Sequence, residues 1–574
     1  MKITRREVLK TAVQASAIAA AARFTIIESF AQTSGRYSPL FNPLDDFVRD
    51  YMQSMNAPGM TLVLADRDGV QRIATYGFTD RETKAAVEPN QLFEIGSISK
   101  SFLALVLLQL YDEGKLDLHK PVTDYLPWWK IDARFGPIST HHLLTHSSGL
   151  DSGPVFLSDP AAKHRAAYAP GKHFHYNNMA FATMGHLVET LDGQPFSVAV
   201  KKRIFDPLGM NASAPVITFD VRERMAKSWW AFMQDRPYPR NGRLAEAPHI
   251  VMTDASGCTA STPQDMGLYI QALVNGGRAR ERRLVSEESF AMFGKPWIKA
   301  EEFGPTASYG YGIAVDKLDG HTVLRHTGGM VSFASSMQVD IDEGVGVFAS
   351  INAMQGYRPN PVAQYAIQSM RAVREGKALP KTPELKPATF VENAADFAGS
   401  FTSNGKAADG RTLLFRANGQ TLSLVAGNSN VALENAGEGR FVVPSAPLDR
   451  YTLAFARADG KDPKSPVVSV GWGSEWFVNE KYRGPALFDH PKEWDAYLGH
   501  YRNESSWNGS IRVVLRKGTL MLDGVVPLEA APDGVFMLRD EESNTEWVKF
   551  FDIVNGKAMR LTLSGDDFWR VDAE

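Results

Sequence analysis

Two stretches near the C-terminal end of this 574-residue chain share one order of residues. Residues 397–401 (FAGSF) match residues 497–501 (YLGHY), and the spacing of Leu, Glu, Gly and Phe in residues 433–441 returns in residues 528–536. Alternating apolar residues, aromatic residues and frequent glycines are typical of antiparallel β meanders that close into small barrels. Two copies of roughly 90 residues are too few and too long for a solenoid. We therefore expect the chain to end in two β-barrel domains.

The residues before these repeats are expected to form a larger unit of their own. Helical patterns such as residues 101–113 alternate with strand-like runs such as residues 344–351, which indicates an α/β (α+β) domain. A segment rich in proline and charge follows, and this composition is typical of an exposed linker. The predicted limits are residues 36–375 for the α/β domain, 376–393 for the linker, and 394–487 and 488–574 for the two barrels.

The first 31 residues resemble an export signal. Paired arginines, Arg5 and Arg6, precede an Ala-rich stretch from Thr11 to Ile27, a pattern typical of twin-arginine signal peptides. Small residues at alternate positions predict cleavage after Ala31, which would release the mature protein into the periplasm. No transmembrane anchor is expected, because every other apolar run falls well short of the roughly 20 residues that span a bilayer.

Charge and cysteine content exclude several classes of protein. The chain carries 62 Lys and Arg residues against 65 Asp and Glu residues, so it lacks the basic surplus of a nucleic-acid-binding protein. Its single cysteine, Cys258, cannot form an intrachain disulfide, a Cys-rich zinc site or an iron–sulfur cluster. We therefore expect no nucleic-acid partner and no cysteine-bound metal.

A serine and a lysine lie three residues apart where the strongest helical pattern begins. Ser97 falls near the N-terminal end of that helix, and Lys100 follows one turn later on the same face. A serine hydroxyl becomes a nucleophile when a base takes its proton, and a lysine can be that base if burial lowers its pKa from about 10.4. A helix cap followed by a solvated lysine is the alternative interpretation.

Two further motifs carry polar side chains in predicted loops. Tyr176 and Asn178 precede a new helical pattern; the phenol is suited to relay a proton and the amide to bind a substrate carbonyl. His326, Gly328 and Gly329 precede a strand-like run, where glycines let the backbone approach a ligand closely. We expect His326 at the rim of a pocket, and a turn or surface histidine is the alternative.

Taken in this order, the three motifs resemble the signatures of the penicillin-recognising serine hydrolases, in particular the branch of class C β-lactamases and D-aminopeptidases. The motifs are Ser97-Ile98-Ser99-Lys100, Tyr176-Asn177-Asn178 and His326-Thr327-Gly328. Further stretches that resemble this family are residues 142–150, 205–210 and 309–312. His326 stands where true β-lactamases have a lysine, which counts against efficient hydrolysis of β-lactams.

The resemblance implies a serine β-lactamase-like fold in which an antiparallel sheet meets a mostly helical subdomain at the nucleophile. The implied site residues are Ser97 as nucleophile, Lys100 as general base, Tyr176 as acid/base partner, Asn178 and His326 as substrate-orienting residues beside Gly328, and the backbone N–H groups of Ser97 and Gly329 as oxyanion hole. His146 is an alternative base, although the stretch that contains it resembles a structural loop of the family. The resemblance implies no metal ion and no cofactor.

The two repeat domains resemble the lipocalin-like barrels that follow the catalytic domain in certain D-aminopeptidases. Such barrels cover a pocket or make subunit contacts, and a barrel that leans over Ser97 would shorten the cleft and favour substrates with a free end. We therefore predict an exported serine peptidase or amidase that forms an acyl-enzyme with a small molecule or short peptide. A carboxylesterase, a weak β-lactamase and a noncatalytic penicillin-binding protein are the alternatives, and the oligomeric state stays open.

Overall fold

The computed structural model describes residues 28–32, 35–151, 166–279, 282–354, 358–403, 410–538 and 544–571. The paired arginines and the apolar stretch of the predicted export signal lie outside these described residues. Strand Glu28–Gln32 pairs antiparallel with strand Gly69–Asp80, so the predicted cleavage site after Ala31 falls within a paired strand. Cleavage and export stay predictions. Among the described ranges, no helix is long and apolar enough to cross a membrane.

A ten-stranded sheet forms the centre of the N-terminal part of the molecule. Its ladder pairings are antiparallel, and an N-terminal hairpin lies beside the strand that comes last in this part of the chain. The order across the sheet is Glu28–Gln32, Gly69–Asp80, Gly59–Asp66, Val345–Ile351, Ala334–Asp340, His321–Gly329, Ala314–Leu318, Ser308–Tyr309 and Ile298–Lys299, with Ala85–Ala86 paired to Gly69–Asp80 outside this order. The predicted antiparallel sheet is confirmed.

Both faces of this sheet are covered, so strands Gly59–Asp66, Ala334–Asp340 and Val345–Ile351 are buried along their whole length. Successive side chains of a strand point to opposite faces. Leu62 accordingly packs into the core beneath helices Ser38–Met55 and Asn360–Arg374, whereas Val63 packs into the core shared with the helical region. The sheet therefore separates two cores, and Ser97 lies on the side of the helical region.

The helical region is centred on helix Ser99–Asp112, here called the serine helix. Its sequence is apolar on nearly all sides, and a helix of this kind is stable only when other elements surround it. The surrounding α-helices are Thr140–Leu144, Asn178–Asp192, Phe196–Val200, Asp206–Leu208, Pro263–Val274 and Glu287–Phe293, with a π-helical turn at Lys201–Phe205. The 3₁₀ turns are Gly96–Ile98, Val122–Asp124, Phe219–Arg224 and Glu301–Phe303, and two-stranded ladders join Phe93–Glu94 to Ala260–Ser261, Trp229–Ala231 to Leu244–Glu246, and Arg278–Ala279 to Arg282–Arg283.

The first copy of the repeat forms a nine-stranded antiparallel sheet that is nearly closed. It is open between strands Ser429–Ala432 and Glu434–Gly437, which lie at the two ends of the strand order. The remaining strands are Gly399–Ser403, Thr412–Asn418, Thr421–Ala426, Arg440–Val442, Leu453–Arg457, Val467–Trp472 and Glu475–Val478, with 3₁₀ turns at Ala394–Phe397 and Leu448–Arg450.

The second copy forms a closed eight-stranded barrel, here called the closed barrel. Gly399 and Gly499, which correspond in the repeat, begin the first strands of the two structures. The barrel strands are Gly499–Arg502, Ser510–Arg516, Thr519–Leu522, Val526–Ala530, Val535–Leu538, Trp547–Val554, Lys557–Leu563 and Asp566–Val571, with 3₁₀ turns at Lys492–Ala496 and Pro532–Gly534. The two predicted C-terminal β structures are confirmed, and the predicted domain limits stay predictions.

Candidate active site

Ser97 lies in the 3₁₀ turn Gly96–Ile98, which runs directly into the serine helix. Gly96 has a φ of +54°, a left-handed conformation that side chains other than glycine rarely adopt. A Cβ added to Gly96 would lie 2.8 Å from the backbone nitrogen of Gly329. The turn therefore holds Ser97 beside the end of strand His321–Gly329.

Gly328 makes the same approach possible from the strand side. A Cβ added there would lie 1.8 Å from the carbonyl oxygen of Ile95, which is closer than atoms can pack. We expected this glycine to let the backbone approach a ligand. The structure instead shows that it lets the strand approach the backbone of Ile95 and Gly96, which leads into Ser97. The glycines thus join the first and third motifs through the main chain.

Lys100 is buried at the bottom of the site and makes three hydrogen bonds. Its Nζ donates to Ser97 Oγ at 3.0 Å, to Asn178 Oδ1 at 2.8 Å and to the carbonyl oxygen of Ser256 at 2.6 Å. Burial lowers the pKa of Lys100 to about 7, against the opposing charge of Asp254. A substantial fraction of the amine is therefore neutral near pH 7 and can accept the Ser97 proton.

Tyr176 lies on the other side of the Lys100 amine. The distance from Lys100 Nζ to the centroid of the Tyr176 ring is 4.9 Å. Burial raises the pKa of Tyr176 above its ordinary value, although the nearby Ser97 hydroxyl opposes this shift. The Tyr176 hydroxyl makes no hydrogen bond of acceptable geometry to the described residues. It is thus a protonated phenol that remains available to a substrate.

Asn178 links the second motif to the first. Lys100 Nζ donates to Asn178, so the atom of Asn178 that faces it is the accepting Oδ1, at 2.8 Å. Asn178 also lines the cavity in front of Ser97. Its Nδ2 is consequently the atom that remains for a substrate carbonyl.

His326 does not lie at the rim of the pocket, and this expectation was wrong. The residue is 2% exposed, because the strand turns its side chain into the protein. Its Nδ1 lies 2.6 Å from the carbonyl oxygen of Thr327 and its Nε2 lies 2.8 Å from the hydroxyl of Tyr309. A carbonyl only accepts, so Nδ1 carries the proton and Nε2 accepts from Tyr309. Burial lowers the pKa of His326 to about 3, so the ring is neutral.

His146, the alternative base, has a structural role. Its Nδ1 accepts the backbone N–H of Asn177 at 2.9 Å, and its ring centroid lies 4.3 Å from that of Tyr176. Burial lowers the pKa of His146 well below its ordinary value. His146 therefore supports the segment that carries Tyr176.

A cavity of about 210 Å³ opens in front of Ser97, and the closed barrel forms part of its wall. The sequence left open whether a barrel covers the pocket or makes subunit contacts, and the closed barrel lies at the pocket. The lining residues from the N-terminal part are Ser97, Asn178, Met252, Ser256, Gly257, Gly329 and Met330, and those from the closed barrel are Asn503, Ser505, Trp507, Asn508 and Asp566. None of the barrel residues belongs to a motif that sequence reasoning could recognise.

Asp566 is the acidic residue in this lining. It begins the last strand of the closed barrel, after the turn at Ser564 and Gly565. Burial raises the pKa of its carboxyl group, and a hydrogen bond with Asn508 opposes this effect. A partly buried carboxylate in the wall of a small cavity favours a ligand that carries a positive charge.

A cluster of possible metal ligands lies at the opposite end of strand His321–Gly329. Ligand atoms of His321, Asp340 and Asp342 lie within 4.8 Å of one another, as do those of His321, Glu343 and Glu375. Asp340 Oδ2 is already 2.5 Å from Nε of Arg371, so a guanidinium holds the buried carboxylate. The cluster takes no part in the cavity at Ser97.

Residues 44–371 match the protein-family model described as Beta-lactamase. This segment is more than half of the chain, and it contains Ser97, Lys100, Tyr176 and His326. The chain therefore belongs to the beta-lactamase family. This family of serine hydrolases includes the β-lactamases, penicillin-binding proteins and esterase to which the chain is similar.

Two curated relatives illustrate the range of this family. The chain is 30% identical over 200 residues to a beta-lactamase of Providencia stuartii, a match that covers 34% of this chain and 50% of that protein. It is 29% identical over 194 residues to esterase EstB of Burkholderia gladioli, covering 29% of this chain and 49% of that protein. The chain thus spans about half the length of these relatives.

Among solved structures, the chain is similar to the octameric penicillin-binding protein homologue from Pyrococcus abyssi. The TM-score is 0.53 at 23% sequence identity, and the match covers 76% of this chain and 99% of that chain. At this identity the similarity concerns the fold.

Proposed function

We propose that this protein is an exported serine amidase or peptidase that acts on small substrates with a free amino group. The observation that carries the proposal is the closure of the Ser97 cavity by the closed barrel, with the Asp566 carboxyl group in its wall. A volume of about 210 Å³ lies below the roughly 300 to 1,000 Å³ typical of pockets for drug-sized ligands. An amino acid amide or a very short peptide suits such a space, and its ammonium group would pair with Asp566.

The chemistry follows from the hydrogen bonds of Lys100. Ser97 Oγ attacks the substrate carbonyl carbon while Lys100 Nζ, 3.0 Å away, takes the hydroxyl proton. The C–N bond then breaks as the leaving nitrogen receives a proton from the Tyr176 hydroxyl, and Lys100 returns its proton to Tyr176. Water hydrolyses the resulting ester by the reverse route: it gives a proton to Lys100, and Ser97 leaves with one.

Backbone and side-chain donors complete the proposed site. The N–H groups of Ser97 and Gly329 form the oxyanion hole, supported by the contact between the Ser97 turn and the end of the strand. Asn178 Nδ2 binds a substrate carbonyl. Gly328 permits the close approach of strand His321–Gly329 and the Ser97 turn. His326 is a neutral, buried group.

Two observations help to distinguish amidase, esterase and β-lactamase activity. His326 is buried and neutral, so it offers no positive charge to the carboxylate of a β-lactam, which supports the amidase over a β-lactamase. The similarity to esterase EstB makes a carboxylesterase the second candidate, because the same acyl-enzyme chemistry cleaves esters. The proposal also includes export directed by the residues before Gln32 and a periplasmic location. N-terminal sequencing of the secreted protein tests both.

A substrate panel with matched variants tests the proposed function. It contains D- and L-aminoacyl amides, their N-acetylated counterparts, simple esters and a cephalosporin, with Ser97→Ala as the inactive reference. We expect cleavage of free-amine amides, and Asp566→Asn should reduce it roughly 10-fold or more while leaving the N-acetylated compounds unchanged. Asp552→Asn, a change on an exposed hairpin of the same barrel, is the control.

The panel also has outcomes that would contradict the proposal. Rapid ester cleavage without amide cleavage would assign a carboxylesterase, and efficient cephalosporin turnover without amide cleavage would assign a β-lactamase. Equal activity on free and acetylated amines would remove Asp566 from substrate recognition.

A further inference from the structure

The closed barrel touches the N-terminal part of the molecule at a second place, behind the segment that carries Tyr176. The Thr545 hydroxyl donates to the carbonyl oxygen of Leu150 at 3.2 Å, and Nε1 of Trp547 donates to Oδ2 of Asp151 at 2.7 Å. Thr545, Leu150 and Asp151 are all buried, so water does not compete for these hydrogen bonds. Two consecutive residues of the catalytic part are thus held by the barrel.

The same two residues hold Asn177. Its Nδ2 donates to the carbonyl oxygen of Leu150 at 3.1 Å and to the carbonyl oxygen of Asp151. A carbonyl oxygen has two lone pairs, and that of Leu150 gives one to Thr545 and one to Asn177. A single atom therefore connects the barrel to the motif that contains Tyr176.

Asn177 is fully buried and lies between the two functional side chains of that motif. Its Oδ1 accepts the backbone N–H of Ala180 at 2.7 Å, which caps helix Asn178–Asp192. The orientation of Asn177 therefore affects the positions of Tyr176 and Asn178, the residues on either side of it. On the preceding side, Nε2 of His175 lies 3.0 Å from Oε1 of Glu546, a third contact with the barrel.

We propose that the closed barrel positions the catalytic motif of this enzyme through Thr545 and Trp547, in addition to lining the cavity. These two are positioning residues: they touch no substrate and act on Tyr176 and Asn178 through Leu150, Asp151 and Asn177. The inference rests on the proposed function, in which Tyr176 protonates the leaving group. It assigns the barrel a role in the rate of acylation for every substrate, whereas the cavity wall affects the choice of substrate.

The physical reason is that proton transfer tolerates little displacement of the acid from the group that accepts its proton. Acid and acceptor must come within hydrogen-bond distance in the transition state, and a displacement of about 1 Å costs up to roughly 100-fold in rate. Loss of Thr545 and Trp547 as donors removes two hydrogen bonds from residues 150 and 151, so these residues and Asn177, which is bonded to them, can shift together. A moderate loss of acylation is expected, on the order of 10-fold.

The test uses the full-length protein with Trp547→Phe, Thr545→Val and the double variant. Each substitution removes one donor and keeps most of the side-chain volume. Trp569→Phe is the matched control, because Trp569 lies on the same barrel and is 52% exposed. The acylation rate is followed in single turnovers with an aminoacyl amide and its N-acetylated counterpart, because an amine leaving group needs the proton from Tyr176 and the acetylated compound has no ammonium group for Asp566. Each variant is also made in a Tyr176→Phe background, and circular dichroism compares their folds.

We expect Trp547→Phe with Thr545→Val to slow acylation about 10-fold, Trp569→Phe to have no effect, and the loss to shrink below about 2-fold in the Tyr176→Phe background. A loss of equal size in both backgrounds, or no loss at all, would overturn the inference. If Tyr176→Phe alone acylates at the normal rate, the proposed function itself fails in its assignment of the acid. Should the double variant not fold, Thr545→Val alone decides by the same comparison.

Discussion

At the scale of single residues, burial gives Lys100 its proposed function. The ordinary pKa of lysine is 10.5, and the hydrophobic surroundings of the serine helix lower that of Lys100 to about 7. The charged amine donates all three hydrogen bonds, whereas the neutral amine donates to Asn178 and the carbonyl oxygen of Ser256 and accepts from the Ser97 hydroxyl, so the contacts that hold Lys100 persist in both forms. The same residue on an exposed helix would remain charged and could not act as a base.

Acylation is therefore expected to rise with pH and to level off above about pH 7, because only the neutral amine of Lys100 accepts the Ser97 proton. Lys100→Arg should lower acylation at least roughly 100-fold, since a guanidinium does not deprotonate. Stopped-flow measurement of acyl-enzyme formation across neutral pH checks both statements. Normal rates in Lys100→Arg would exclude lysine as the base, and Ser99→Ala should keep the fluorophosphonate adduct on Ser97.

The same lowered pKa makes a prediction about stability. The folded state binds the Lys100 proton less tightly than the unfolded state, so the group destabilises the fold fully below about pH 7 and ceases to do so near pH 10.5. Lys100→Met should raise the free energy of unfolding at about pH 6 by roughly 1 kcal/mol, after the lost hydrogen bonds are subtracted. Urea denaturation at several pH values checks this, and the gain should shrink as the pH rises. A variant that is less stable at every pH would contradict it.

At the scale of elements, two glycines decide whether the strand and the Ser97 turn can meet. Gly328 leaves no room for a side chain against Ile95, and Gly96 leaves none against Gly329. The sheet and the helical region are thus joined by main-chain contact next to Ser97. A main-chain junction cannot relax by changing a rotamer, which keeps Ser97 and Gly329 at a constant separation.

Gly328→Ala should for this reason lower the free energy of unfolding by about 3 kcal/mol and slow acylation, because its Cβ would lie 1.8 Å from an oxygen of Ile95. Gly460→Ala is the matched control, since a Cβ there meets no atom within 4 Å. Denaturant unfolding and fluorophosphonate labelling measure the two effects. Equal stability of the two variants would show that the strand can move away from the turn without cost.

At the scale of the whole molecule, the cavity at Ser97 is shared by two parts of the chain that are far apart in sequence. The loop between strands Gly499–Arg502 and Ser510–Arg516 contributes Asn503, Ser505, Trp507 and Asn508 to the wall. Nδ2 of Asn503 donates to the carbonyl oxygen of Asp567 at 2.8 Å, which fixes the base of this loop on the last strand. In the proposed function, docking of the barrel is what limits the length of a substrate.

Replacing residues 505–508 with two glycines should open the cavity at this wall while Asn503 stays in place. We expect N-acetylated and longer peptide amides to gain at least about 10-fold in kcat/KM relative to the free aminoacyl amide, because the wall that excludes them is gone. Comparison of kcat/KM across a length series measures the change. Ile553→Ser, on an exposed hairpin of the same barrel, is the control. An unchanged length preference would mean that another element sets it.

Local spacing explains which parts of the site sequence reasoning could predict. Ser97 and Lys100 are three residues apart at the start of a helix, and helix geometry alone brings such residues together. The repeat likewise predicted two β structures, because strand alternation and turn glycines are local signals. The position of His326 was missed, since the face of a strand that turns inward depends on its neighbours in the sheet, and the motif has no alternation that decides it.

The sequence by itself thus determined the family, the proximity of Ser97 and Lys100 at the start of one helix, and the succession of one α/β domain and two β structures. Only the tertiary structure decided that the closed barrel lines the cavity, that Asp566 and Ser97 line the same cavity, and that Leu150 connects Thr545 to Asn177. The reason is physical. These contacts join residues up to several hundred positions apart, and they arise from sheet register and domain docking, for which no local pattern of residues exists.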